Sequence, residues 1–135
     1  GEPVVLPVPS QSAKVTASTT AEGGNAGFIA DGDPKNRWQA SSGEKSATIE
    51  IDLEKPAAIQ CLSLVEPWHP WDGIKQNIEL YSQDGNDWKL VTKAQTEGSG
   101  LTQTFQSVTA KKFKLVIQNE KQAPSINEAI LFRAE

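Results

Sequence analysis

The chain has no methionine, one histidine (His69), one cysteine (Cys61) and two arginines (Arg37 and Arg133) in 135 residues. Each shortage excludes something. A lone cysteine forbids an intramolecular disulfide, so the fold must stand on its core, which export still permits. One His and one Cys leave no ligand pair for a zinc site and no basis for a His-centred triad. A net charge of −4, with acids and bases interspersed, is the wrong balance for neutralising phosphates, so nucleic acid is not expected as a partner. No apolar run approaches the roughly 20 residues of a membrane-spanning helix. A chain that starts at Gly1 and has no Met reads as an excised or processed piece, with any signal peptide outside it.

What is present is a chain of one domain's length with enough apolar residues, four Trp among them, to bury a proper core. Residues 1–12 hold three of the eight prolines and read as a linker or extended arm; residues 13–135 read as the domain. Lys14–Thr19 is the first strand. Ala47–Leu53 alternates strictly, with Ala47, Ile49, Ile51 and Leu53 inward, and Leu53–Pro56 ends it. Ala57–Val65 is a nearly continuous apolar run suited to a strand covered on both faces, so Cys61 within it reads as a small buried hydrophobe. Ile74–Ser82, then Trp88–Val91 after an Asp-Gly hairpin turn, follow with Ile78 and Leu80 inward. Leu101–Phe105, Lys112–Ile117 (Phe113, Leu115 and Ile117 inward) and Ile126–Phe132 (Ile126, Ile130 and Phe132 inward) complete the set. About eight short strands with regular turn signals and no sustained helical period specify an all-β, antiparallel jelly-roll sandwich.

Two stretches stand outside this pattern. Phe28–Trp38 sets Asp31 and Asp33 around Gly32, before Pro34 and Asn36. Gly allows the sharp reversal that turns both carboxylates toward one point, which makes a hard-oxygen ion site; the same residues also make an ordinary surface turn. Trp68-His69-Pro70-Trp71 puts two Trp, hard to bury together, in a proline-bounded loop. Trp38 and Trp88 sit at strand edges and read as core. A glycosidase would need two carboxylates across a cleft, and a thin sandwich offers little cleft, so no enzyme is expected.

With the strands laid out, Val15–Ser18, Ala30–Trp38, Ile49–Leu53, the hairpin ending at Trp88 and the closing Ile126-Asn127-Glu128 resemble the discoidin, or coagulation factor 5/8 C-type, domain family, with a galactose-binding-like fold. The likeness runs from about Lys14 to Phe132. Bacterial members are the family 32 type carbohydrate-binding modules, and the hairpin and ending are similar to C-terminal modules of secreted glycosidases such as fucosidases and chitobiases (hexosaminidases).

The resemblance implies a non-catalytic module that holds a parent enzyme on glycan, in a secreted, periplasmic or outer-surface bacterial setting, and a monomer. It also implies a structural calcium held by Phe28, Asp31, Asp33, Asn36, Asn127 and Glu128, which ties the first loop to the last strand. Sugar would stack on an aromatic platform in the end loops, with polar groups fixing its hydroxyls. Trp68, His69 and Trp71 are the candidates, bordered by Glu44 and also by Glu97, Asn119 and Gln122. Galactose-binding relatives commonly pair Arg with His; here no Arg lies in these loops and Lys75 is the nearest base. A different class of reading is a domain that packs on the parent catalytic domain and binds no glycan. Membrane-surface adhesion is disfavoured by the negative charge and the few basic residues near the Trp loop.

Overall fold

The computed structural model describes residues 6–7, 14–20, 25, 38–65, 75–96, 100–119, 123–126 and 128–133. Among them are nine strands and no helix: β1 (Leu6–Pro7), β2 (Lys14–Ala17), β3 (Trp38–Gln39), β4 (Ser46–Val65), β5 (Gln76–Asp84), β6 (Asp87–Thr96), β7 (Leu101–Asn119), β8 (Ser125–Ile126) and β9 (Glu128–Arg133). Every pairing among them is antiparallel. The order is β1-β9-β4-β7-β5-β6 with β2 also on β4, and β3 pairs separately with β8.

The architecture turns on β4, which is 20 residues long, and β7, which is 19. Ser46–Asp52 of β4 lies between β2 and the C-terminal half of β7, whereas Ile59–Val65 lies between β9 and the N-terminal half of β7. One pair of strands therefore serves two layers, β2-β4-β7-β5-β6 and β1-β9-β4-β7. Their inward residues meet in a single cluster that includes Ile49, Ile51, Ile59, Leu62, Leu64, Ile78, Leu80, Phe113, Leu115, Ile117, Ile126 and Leu131. Each fully buried side chain of this size contributes about 1.5–3 kcal/mol.

The sequence reading divides β4 at Pro56 and β7 between Phe105 and Lys112; the molecule keeps both continuous. The register passes from Asp52↔Lys112 to Ala57↔Ala110, so residues 53–56 stand against Lys111 alone. Pro56, with no N–H to give, falls inside this break, where a proline costs no ladder bond. Glu54 takes a left-handed φ of 69°, and its N–H donates to Asp52 Oδ1 at 2.8 Å. The turn chemistry is real, but it bends the strand without ending it.

Two other expectations are corrected. In β9 the residues buried in the core are Ala129 and Leu131; Ile130 and Phe132 are half-buried. Phe132 pairs with Cys61 and Ile130 with Ser63, on the face opposite Leu62 and Leu64. The separation of β8 from β9 shifts the alternation by one, and one residue flips every side chain across a sheet. Trp38 is fully buried as expected, its indole N–H shared between Thr19 O at 3.1 Å and Thr20 Oγ1 at 3.2 Å. Trp88, read as core, is half-buried on the outer face of β6. Cys61 is buried, and burial pushes its thiol pKa up.

Gly100 has φ 99°, and a Cβ there would run into the Leu64 carbonyl oxygen. Glu54→Gly relieves left-handed strain and should raise stability by about 0.5–1 kcal/mol. Gly100→Ala adds strain and a backbone clash, and should lower it by about 2 kcal/mol or more. Urea unfolding of both variants checks the pair; equal effects would contradict this backbone description.

Candidate functional site

The strand register gathers several loops at one end. Ser46 pairs with Gln118, Gln118 with Asn77, and Asn77 with Gln95. The start of β4, the end of β7, the start of β5 and the end of β6 therefore share one rim. The other layer joins it there, because Thr96 is followed within five residues by Leu101, which pairs with Leu64, next to Val65↔Glu128. Val65 and Lys75, which flank the segment carrying Trp68, His69 and Trp71, thus both stand at this end.

A buried polar clamp holds the rim. Gln76 is 4% exposed. Its Nε2 donates to Ser125 O at 3.0 Å, and its Oε1 accepts the Ser125 N–H at 3.0 Å. The side-chain amide thus pairs with a backbone peptide as a neighbouring strand would. Oε1 also accepts from Asn119 Nδ2 at 3.5 Å, and the Asn119 N–H donates to Lys45 O at 2.9 Å. The Ala40 N–H donates to Pro124 O at 2.8 Å. A residue with polar groups at a core position needs every one of them satisfied, and these bonds spend that need on tying loop bases together. Sequence reasoning missed Gln76. The signal was its place two residues before Ile78, in phase with the inward set.

On the outer side of the rim is an open hollow of about 370 Å³ lined by Lys45, Ser46, Asn77, Gln118 and Asn119. Glu44, the predicted border residue, is exposed beside it, in a tight turn whose N–H donates to Ser41 O at 3.1 Å. Gly43 supplies the φ of 90° in that turn. Of the residues expected to border the sugar, Asn119 belongs to the buried clamp, and Lys75 is exposed at the entry to β5. Trp68, His69, Trp71, Glu97 and Gln122 lie outside the described residues.

Among the expected calcium ligands, Phe28, Asp31, Asp33, Asn36 and Asn127 lie outside the described residues. Glu128 opens β9 and pairs with Val65. No group of three or more His, Cys, Asp or Glu within metal reach occurs among the described residues. One relation bears on the ion: Trp38 pairs with Ile126 and Gln39 with Ser125. The chain just after Asn36 and the chain just before Asn127 therefore run side by side.

The opposite end carries the β5–β6 hairpin, where Asp84 pairs with Asp87 across Gly85 and Asn86. Gly85 has φ 63°, the first-position left-handed residue of a II′ turn. Lys89 Nζ reaches Asp84 Oδ2 at 2.7 Å. The hydrogen bond and charge of Lys89 hold the Asp84 carboxyl below the usual range, and Asp84 holds Lys89 above its own. Both side chains are largely in water, so the pair adds little to stability.

The family model for the F5/8 type C domain matches residues 14–130. The comparison with curated proteins returns no significant match. Solved structures share the fold. The family 32 carbohydrate-binding module of NanJ from Clostridium perfringens, in complex with galactose, superposes with a TM-score of 0.84 at 17% identity, over 96% of this chain and 100% of that one. CpGH89 from Clostridium perfringens, in complex with its substrate GlcNAc-α-1,4-galactose, aligns at 22% identity with a TM-score of 0.77, over 94% of this chain and 14% of the longer one. A pectin-binding carbohydrate-binding module is 29% identical with a TM-score of 0.75, over 87% of this chain and 88% of its own.

The clamp makes a direct prediction. Gln76→Leu keeps the volume but strands the Ser125 N–H and C=O, and should lower stability by about 2–4 kcal/mol. Hydrogen exchange should show the Ser125 and Asn119 amides losing protection ahead of the β4–β7 ladder. Unchanged protection there would mean the clamp is not what holds the rim.

Proposed function

The chain belongs to the F5/8 type C domain family, and on that premise we propose that it is a non-catalytic carbohydrate-binding module of a secreted bacterial glycoside hydrolase. The observation that carries this is the rim. Both flanks of the Trp68–Trp71 segment stand at the end where Glu44 and the polar hollow lie, on a fold shared with modules solved with sugar. Trp68 and Trp71 would offer flat faces for the C–H side of a pyranose, while His69 and Glu44 would fix hydroxyls by hydrogen bonds. Affinity from so small a platform is weak, and tethering an enzyme to a polymer needs no more, because many weak contacts add through effective concentration. The alignment to a small part of the long CpGH89 chain fits an accessory role beside a catalytic domain. Galactose and pectin on two similar modules show that the fold does not name the sugar.

The same reading includes a structural calcium. Phe28 and Asn127 would give carbonyl oxygens, and Asp31, Asp33, Asn36 and Glu128 the rest, a set of hard oxygens with three carboxylates that suits Ca²⁺. The β3–β8 pairing supports it by joining the two chain segments that carry these residues. The ion would cross-link the first loop to the start of β9 and take no part in sugar contact.

Two measurements test these statements. On a glycan array and by calorimetry the chain should bind a defined sugar, and Trp71→Ala should weaken that binding about tenfold or more, the worth of a stacked aromatic. Binding to no glycan at all would overturn the first reading and leave a domain that packs on its parent enzyme. At calcium 100-fold above its Kd the ion adds about 2.7 kcal/mol, roughly 10 °C in Tm for a domain of this size. A chelator should remove that increment, and an unchanged melt with no bound metal by elemental analysis would dispose of the ion.

A further inference from the structure

The loop end leaves one exposed feature unexplained. On the outer face of the β2-β4-β7-β5-β6 layer, Tyr81 pairs with Lys114 of β7 and with Leu90 of β6, and Trp88 pairs with Gln83 one step along. Lys114 Nζ stands 4.6 Å from the centroid of the Trp88 ring and 5.2 Å from that of Tyr81. Leu90 is 47% exposed, the one large hydrophobic side chain among the described residues that stands in water to that extent. Tyr81, Trp88 and the nearby Val116 are each half-exposed. Glu50 borders this group, opposite Lys114 in the β4–β7 ladder; farther off the face carries Thr16, Thr48, Asn77 and Gln118, as the solvated side of an antiparallel sheet should.

The arrangement is fixed from within the same face. The Tyr81 hydroxyl donates to Glu79 Oε1 at 3.2 Å. Half-burial first, then the Glu79 charge and this hydrogen bond, push the phenol pKa above its ordinary value, so Tyr81 stays a neutral ring. Lys114 is held by the two π faces and, among the described residues, makes no ion pair with Glu50, which stands opposite it across the β4–β7 ladder; the ion pair of this layer is Lys89–Asp84, at the hairpin. Its ammonium keeps donors for a ligand. Gln83 and Lys93 flank the patch along β5 and β6 with groups that can bond hydroxyls.

We propose that this face is a second glycan site, separate from the loop end, that takes a uronic-acid residue of an acidic polysaccharide. The ring's C–H surface lies on Trp88, Tyr81 and Leu90, and its carboxylate is met by Lys114. Size selects this occupant over a protein. Four apolar side chains cover one or two sugar rings, far short of the roughly 800 Å² per partner that a stable protein interface buries. The two sites are separated along β5 by the run from Gln76 to Gln83, roughly 20 Å of extended chain. The proposal rests on the carbohydrate-binding reading of the domain but not on its loops.

The test titrates the 135-residue chain with trigalacturonate, and with its neutral methyl ester, by ¹⁵N amide shift mapping. Trigalacturonate should move amides of β5, β6 and β7 around Tyr81, Trp88 and Lys114. Lys114→Gln, with its melt unchanged, should weaken binding roughly tenfold, and the methyl ester should bind the native chain more weakly by a similar factor. Leu90→Ser should weaken both ligands alike. Shifts confined to the loop end, or undiminished affinity in Lys114→Gln, would overturn the sheet-face site while sparing the module. Concentration-dependent shifts on this face without sugar would overturn it in favour of a second copy of the chain. Binding of no sugar by any variant would fail both readings together.

Discussion

Everything in this domain hangs on the antiparallel ladder between β4 and β7. Both strands run through two layers, so the two sheets share covalent backbone and the core closes between halves of the same strands. That sharing requires a bend. It is made where residues 53–56 of β4 stand against Lys111 of β7, with Glu54 in the left-handed region and Pro56 where no ladder bond is needed. Without that break, the inward alternation of Ile49 and Ile51 could not be followed by that of Ile59, Leu62 and Leu64 in one core.

The second constraint is polar. A sandwich end must stop its ladders without leaving buried amides unpaired. Gln76 does this by lending its side-chain amide to the Ser125 peptide, while Asn119 joins the turn before β4 to the end of β7. The loops beyond are then free to differ in composition, because their bases are held by bonds that do not depend on them.

The two aromatic features differ in kind. The Trp68–Trp71 segment belongs to the loop end, where a platform can be shaped by the chain between fixed anchors. The Trp88–Tyr81–Lys114 group belongs to the sheet itself, where register sets side-chain spacing and a cation sits over two rings. A rigid face reads a repeating polymer by spacing, and a loop site reads a sugar by shape. A chain carrying both would grip a polysaccharide at two points of unequal chemistry.

Much of this was legible in the residues. Strict alternation in Ala47–Leu53 and Lys112–Ile117 set those strands and their buried faces, since period two allows one inward set. The order of motifs from Val15 to Glu128 carried the family, and Trp38 was rightly placed in the core. Local signals could not decide where a strand bends rather than ends, because Pro56 is compatible with both and the partner strand chooses. Nor could they set the phase of β9, where one residue between β8 and β9 exchanges Ile130 and Phe132 for Ala129 and Leu131. The role of Gln76 and the solvent-facing side of Trp88 likewise came from neighbours distant in sequence. Composition and periodicity specify which residues can be buried; which of them are, and beside what, is decided by pairing across the sheets, because only there do residues far apart in the chain come within contact.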